Sequence, residues 1–197
     1  MIKNRNNIDC VIPAAGLSSR MGCWKLTLPY KENTILEQSI TNALSFCSRV
    51  ILVVGHREEE LIRQYKDHKY VTIVRNVDYH SGMFSSLQLG IEEVASEFFY
   101  ISHGDMPCIT TWIYKTLWKH RVTGTLFPGD KQSTGHPVLI HTASFNALKD
   151  KGGYQSMKAI IQQGKVAYLG LNDLAIHLDV DTPEAYQNLL ESTQSKY

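Results

Sequence analysis

The stretch Val11–Lys25, VIPAAGLSSRMGCWK, ends an apolar run on two alanines and a glycine. It then crowds two serines, an arginine, a second glycine and a lysine into one short loop. Ala14, Ala15 and Gly16 carry little or no side chain, so the backbone here approaches a bulky anion closely. The N–H groups from Gly16 through Ser18 and Ser19 can then face phosphate oxygens. Arg20 adds a bidentate cation and Lys25 a point charge beside that cradle. The alternative is a solvated surface loop. Two familiar phosphate motifs do not fit: five residues separate Gly16 from Gly22 and the lysine follows only at position 25, so this is neither G-x-x-x-x-G-K-[ST] nor G-x-G-x-x-G.

Working outward, IDCVIP reads as the first strand. NTILEQSITNAL follows as a helix, with Thr34 as cap, Glu37 closing a capping box and Ile35, Leu36, Ile40 and Leu44 forming an apolar stripe. RVILVVG and VTIVRN are strands around the charged helix REEELIRQY, and MFSSLQLGIEEVA is a helix entered through Ser81 and Gly82. FFYIS is a further strand that stops in HGDMP and leaves Asp105 at its carboxyl end. The second half is mixed: helices in TTWIYKTLWKH, TASFNAL, YQSMKAIIQQ and after Pro183, and strands in GTLFP, HPVLIH, KVAYLGL and AIHLDV. Several of these strands lie too close together for right-handed crossovers. The expected fold is α/β, a three-layer nucleotide-binding sheet in one domain over residues 1–197, mostly parallel, with an antiparallel strand and a small side sheet. In such sheets ligands sit outside the carboxyl ends of strands, which puts the loops after CVIP and FFYIS on one rim.

Composition narrows the function classes. Twenty basic against nineteen acidic residues leave a net charge of +1 with no basic block, which argues against nucleic acid as partner. The longest apolar runs are far too short to span a bilayer and MIKNRNNIDC has no signal-peptide apolar region, so the chain reads as soluble and cytoplasmic, without a membrane partner. Four cysteines lack any C-x-x-C pair and eight histidines lack H-E-x-x-H spacing, which argues against a disulfide framework and a zinc enzyme.

A triphosphate in the first loop calls for a divalent cation, and Mg²⁺ takes one or two carboxylates plus phosphate oxygens and water. Asp105 is the first candidate ligand. The second lies in HLDVDTP, where Asp179 and Asp181 alternate on the expected strand and share a face. Alternatively, Asp105 is a turn aspartate before Pro107 and Asp181 a helix cap before Thr182 and Pro183. In SGMFSSLQLG, Ser85 and Ser86 can bond a base or ribose at a helix start, or Ser81 caps a core helix. GHPVLI sets His136 at a strand entry where a second substrate can dock, or simply marks a turn before an edge strand.

PAAGLSSRMGCWK resembles the signature A-A-G-x-S-x-R-M-G-x-x-K of the nucleotidyltransferases similar to molybdenum cofactor cytidylyltransferases and guanylyltransferases. TILEQSI, NVDYHSGMFSSLQLGI, GDMP, GHPVLI and DVDTPEAY resemble that family in the same order over nearly the whole chain. The second alanine of AAG, SGMFSSL and GHPV favour the cytidylyl branch. The resemblance implies transfer of CMP from CTP to molybdopterin-bound molybdenum cofactor. It implies a nucleotide site at Ala14, Ala15, Gly16, Ser18, Ser19, Arg20, Lys25 and Ser86, and Arg20, Lys25 and Asp105 in catalysis. It puts Mg²⁺ or Mn²⁺ on Asp105 and Asp181, with Asp179 a weaker ligand, and the pterin near His136. Where relatives often carry Gly-Asp-x-Gly-Ala-Arg, this chain reads DKGGYQSMKAI, which opens the acceptor more than the donor; the alternative is transfer from GTP or another triphosphate to the pterin, or to a sugar or polyol phosphate. It also leaves open a non-catalytic carrier for a molybdenum hydroxylase. Cys23 and His103 receive no role.

Overall fold

The computed structural model describes residues 6–150 and 152–194; the first five residues, read above as lacking a signal sequence, and Lys151 of the departing segment lie outside the described residues. Strand β1 (Asn6–Ala14) leads through two short 3-10 turns and a hairpin, β2 (Pro29–Tyr30) and β3 (Asn33–Thr34), into α1 (Ile35–Leu44). Then come β4 (Cys47–Val54), α2 (Glu58–Tyr65), β5 (Val71–Arg75), α3 (Met83–Glu92) and β6 (Phe98–Ile101). The second half runs α4 (Thr111–Lys119), β7 (Thr125–Phe127), β8 (Val138–His141), α5 (Thr142–Lys149), α6 (Met157–Ile161), β9 (Val166–Tyr168) and α7 (Pro183–Gln194). The capping box reads as expected: Thr34 accepts from the Glu37 N–H at 3.2 Å, and Glu37 accepts from the Thr34 N–H at 2.7 Å.

Among the described residues the main sheet has seven strands in the order β5-β4-β1-β6-β8-β7-β9, and of these β8 alone runs against the rest. The small side sheet is the β2–β3 hairpin, which lies in the first half of the chain, ahead of α1 rather than among the crowded strands of the second half. The chain winds outward from β1 to β4 and β5, then returns past β1 to β6, so the order reverses between β1 and β6. That reversal opens a crevice at their carboxyl ends.

Period-two alternation on β1 explains the three layers. Ile8, Cys10 and Ile12 face a core made with α1, α2 and α4, while Val11 faces a second core with Leu87 and Ile91 of α3, Phe145 of α5 and Ile160 of α6. A sheet buried on both faces needs near-continuous apolar strands, which is why Val50–Val54 shows no polar alternation. No helix among the described residues is long and apolar enough to cross a membrane.

AIHLDV is not a strand. The Asp173 side chain accepts from the Ala175 N–H at 2.9 Å and closes a 3-10 turn over Leu174–Ile176. Beyond it, the Val180 N–H donates to the Asp105 carbonyl at 3.0 Å, so the segment crosses the rim of the sheet instead of extending it. The helix expected over YQSMKAIIQQ is also shorter, beginning at Met157 behind a Ser156 cap.

Candidate active site

The crevice at the carboxyl ends of β1 and β6 holds a cavity of about 380 Å³. Pro13 through Ser19 form one wall, Lys25 and Leu26 the floor, and His103, Gly104 and Asp105 the β6 side. Tyr79, His80, Gly82, Met83 and Ser86 close the far end. Of the expected nucleotide residues, Ala14, Ala15, Gly16, Ser18, Ser19, Lys25 and Ser86 line this space; Arg20, Asp181 and His136 stand just outside it.

The first loop turns through Ser18 at φ 53° and Gly22 at φ 67°. Among the described residues no protein acceptor takes the N–H of Gly16, Leu17, Ser18 or Ser19. A row of uncommitted amides around a concave turn is an anion seat. Trp24 and Leu26 are buried on either side of Lys25, and the Arg57 guanidinium lies 4.7 Å from the Trp24 ring centre, so packing fixes the lysine stem.

Lys25 joins two distant carboxylates. Its Nζ donates to Asp105 Oδ2 and, at 2.5 Å, to Asp181 Oδ1, while Arg20 donates to Asp181 Oδ2 at 2.6 Å. Gly104 permits the first contact: a Cβ there would stand 2.9 Å from Leu36 Cδ1 and 3.3 Å from Leu26 Cδ2. The second follows from α7. Met21, Tyr30, Ile35, Val180 and Leu189 share a small core, and the Tyr186 hydroxyl donates to the Pro29 carbonyl at 2.7 Å. The cap alternative for Asp181 falls away, because Thr182 Oγ1 accepts from the Ala185 N–H at 3.1 Å and caps α7 itself.

The charges respond to one another. Burial works against the Lys25 ammonium, but Asp105 and Asp181 outweigh it and raise its pKa. Burial also works to raise Asp181, yet Lys25, Asp179 and Arg20 hold it below the usual carboxylate range. Asp179 moves the other way, pushed up by burial and by Asp181 and Asp105, so the two aspartates do meet although no strand aligns them. Among the described residues Asp105 Oδ1 is buried with no hydrogen-bond partner, the spare oxygen of a carboxylate whose other oxygen already shares Lys25 with Asp181.

Sequence reasoning gave His103 no place, but it lines the cavity and its ring packs against His136 with centroids 4.0 Å apart. Burial and then Lys25 push His103 down to about 4, and burial and then His103 push His136 down to about 3, so both rings are neutral at pH 7. His136 sits behind His103 rather than on the cavity wall. Tyr79 and His80, whose ring centroids lie 4.1 Å apart, belong to the stretch from Asn76 to Ser86 that the resemblance places beside the nucleotide, though neither was singled out. Cys23 is exposed and free.

Residues 10–167 match the family model described as MobA-like NTP transferase domain. The chain belongs to that family. It is 38% identical over 179 residues to the molybdenum cofactor cytidylyltransferase of Escherichia coli (strain K12), covering 91% of this chain and 93% of that one. It is 25% identical over 194 residues to a probable molybdenum cofactor guanylyltransferase of Bacillus mycoides (strain KBAB4), covering 89% and 92% of the two chains. A solved nucleotidyl transferase from Methanothermobacter superposes with a TM-score of 0.80 at 19% identity over 98% of this chain and 100% of that one. As a MobA-like NTP transferase, the protein is a nucleotidyltransferase.

Proposed function

We propose that the 197 residues work as one cytoplasmic unit that moves CMP from CTP to the phosphate of molybdopterin-bound molybdenum cofactor and releases pyrophosphate. A phosphate oxygen of the acceptor attacks the α-phosphorus, a new P–O bond forms, and the bond to the β-phosphate breaks. The acceptor is already an anion, so no strong general base is needed. Catalysis rests on positioning and charge. The observation that carries this reading is the convergence of Lys25, Arg20, Asp105 and Asp181 at the mouth of a cavity whose wall is an uncommitted amide loop.

In this reading the N–H groups of Gly16 to Ser19, with Ala14 and Ala15 leaving room, seat the triphosphate. Lys25 and Arg20 follow the charge that develops on it, and Ser86 faces the base. Asp105 and Asp181 are the ligands for a divalent cation, with Asp179 behind them. Hard carboxylate oxygens and the partnerless Asp105 Oδ1 fit Mg²⁺ or Mn²⁺. Such an ion, when bound, polarises phosphoryl oxygens and offsets charge on the departing pyrophosphate. Lys25 holds the two carboxylates together, and with phosphates present its ammonium has a second set of anions within reach. His136, which stands behind His103, lies on the side where the pterin docks, and a molybdenum hydroxylase is the fitting recipient of the product.

The test is direct. Purified protein is incubated with CTP, GTP, ATP or UTP, Mg²⁺ and molybdopterin, and the product is identified by mass. A cytosine dinucleotide of the pterin is expected. Another acceptor or base in its place, or binding without turnover together with copurification of a hydroxylase, overturns the assignment.

A further inference from the structure

We propose that Asn76 sets the base preference of the cavity by fixing Ser86 as a hydrogen-bond donor toward the bound base, a polarity that suits cytosine and opposes uracil. The proposal rests on the CTP reading above and deepens it.

Asn76 follows β5 and is 1% exposed, and its backbone N–H donates to the Val54 carbonyl at 2.8 Å. Its Oδ1 accepts from the Asp78 N–H at 3.0 Å. A backbone N–H only donates, so this contact decides which end of the amide is oxygen. Nδ2 therefore faces the helix start, where it donates to Ser85 Oγ at 2.9 Å and to Ser86 Oγ at 2.8 Å.

The two serines then differ. Ser85 donates its own proton to the Gly82 carbonyl at 2.8 Å, inside the turn. Ser86 accepts from Asn76, and among the described residues its proton meets no protein acceptor, although the residue is only 2% exposed. It lines the far end of the cavity with Tyr79, His80 and Met83. A buried hydroxyl with a spare proton is costly until a ligand supplies the acceptor.

Base chemistry turns that polarity into a choice. Cytosine presents acceptors at both O2 and N3, whereas uracil carries a proton on N3 and guanine carries one on N1. A donor set against N3 pairs with cytosine and meets a proton on uracil N3 or guanine N1, whereas at O2 it would serve either pyrimidine, so the proposal places Ser86 Oγ at the N3 position. A site whose polar group is left unpaired by the wrong substrate discriminates strongly.

Asn76→Asp is nearly isosteric and still accepts from the Asp78 N–H, but its second oxygen accepts from the serines and turns the Ser86 lone pairs toward the cavity. Steady-state pyrophosphate release with molybdopterin, measured separately with CTP and UTP, reads the effect as a ratio of kcat/KM values. The expected result is a CTP-to-UTP ratio that falls by about tenfold or more, with inhibition by pyrophosphate unchanged. Ser86→Ala should lower the same ratio, and adding Asn76→Asp to it should lower it no further. A ratio left at the wild-type value in Asn76→Asp overturns the proposal while the functional reading stands. If that variant does not fold, an undiminished ratio in Ser86→Ala overturns it instead. A wild-type protein that does not prefer CTP overturns the reading and this assignment together.

Discussion

Lys25 Nζ donates to Asp181 Oδ1 at 2.5 Å, joining two residues 156 positions apart, and the same nitrogen reaches Asp105. One ammonium thus stands where the two carboxylates proposed to hold the cation come together. It competes for the oxygens the cation would use. Lys25→Met should therefore bind Mn²⁺ more tightly than the wild type in the absence of nucleotide, while turnover falls. Electron paramagnetic resonance of free Mn²⁺ checks the first part, and an affinity equal to or below that of the wild type would show that the lysine does not compete.

Removing a carboxylate should separate fold from chemistry. Asp105→Ala should abolish turnover and leave the circular dichroism spectrum unchanged, because the Asp105 side chain contacts Lys25 and caps no helix. Arg20→Ala keeps the loop but loses an exposed cation, and should cost about 2–4 kcal/mol of transition-state stabilisation, by analogy with a lost oxyanion donor. An Asp105→Ala enzyme at full rate would remove the metal assignment.

Acid should destabilise the protein through His136. Its folded pKa lies near 3 against an ordinary value of 6.5, because of burial and the neighbouring His103 ring. Between those values the unfolded chain binds more protons than the folded one, so stability rises with pH and is lost as pH falls below 6.5. The loss from this residue should be on the order of 2 kcal/mol by pH 5. Asp181, lowered, loses its share only as pH falls below 3.8, and Lys25, raised, only as pH climbs above 10.5, so neither confuses the window. Urea denaturation at pH 7 and pH 5 should show the difference, and His136→Gln should reduce it without abolishing it, because His103, pushed down to about 4, loses stability over the same window.

Which features the sequence revealed follows from whether the signal was local. Strand β1, its alanine-glycine exit and the Thr34–Glu37 cap lie within a few residues, and their chemistry dictates their shape. Asp105 was legible for the same reason, at the end of an apolar run stopped by Gly104 and Pro107. The meeting of Asp181 with Lys25 was not, since it depends on α7 packing against the β2–β3 hairpin, and the alternation of Asp179 and Asp181 suggested a strand that an Asp173 turn prevents. His103 was invisible because its environment comes from His136, far along the chain and on another strand entry.

The packing behind the cleft makes a final prediction. Gly90 of α3 lies directly on β1 and β4, and a Cβ there would stand 2.6 Å from Val11 Cγ1 and 2.8 Å from Val53 Cγ2. Both valines are fully buried in the centre of the sheet, so neither can swing aside. Gly90→Ala gains helix propensity, by about 1 kcal/mol, but overpacking costs about 1–3 kcal/mol and should win or at best cancel. Val53→Ala removes the contact with Val53 Cγ2 and leaves the one with Val11, so it relieves part of the strain. The double variant should then be more stable than the sum of the two single changes predicts, because the sites share one volume. Thermal unfolding of the four proteins measures this coupling, and strict additivity would mean that α3 does not rest on β4 at Gly90.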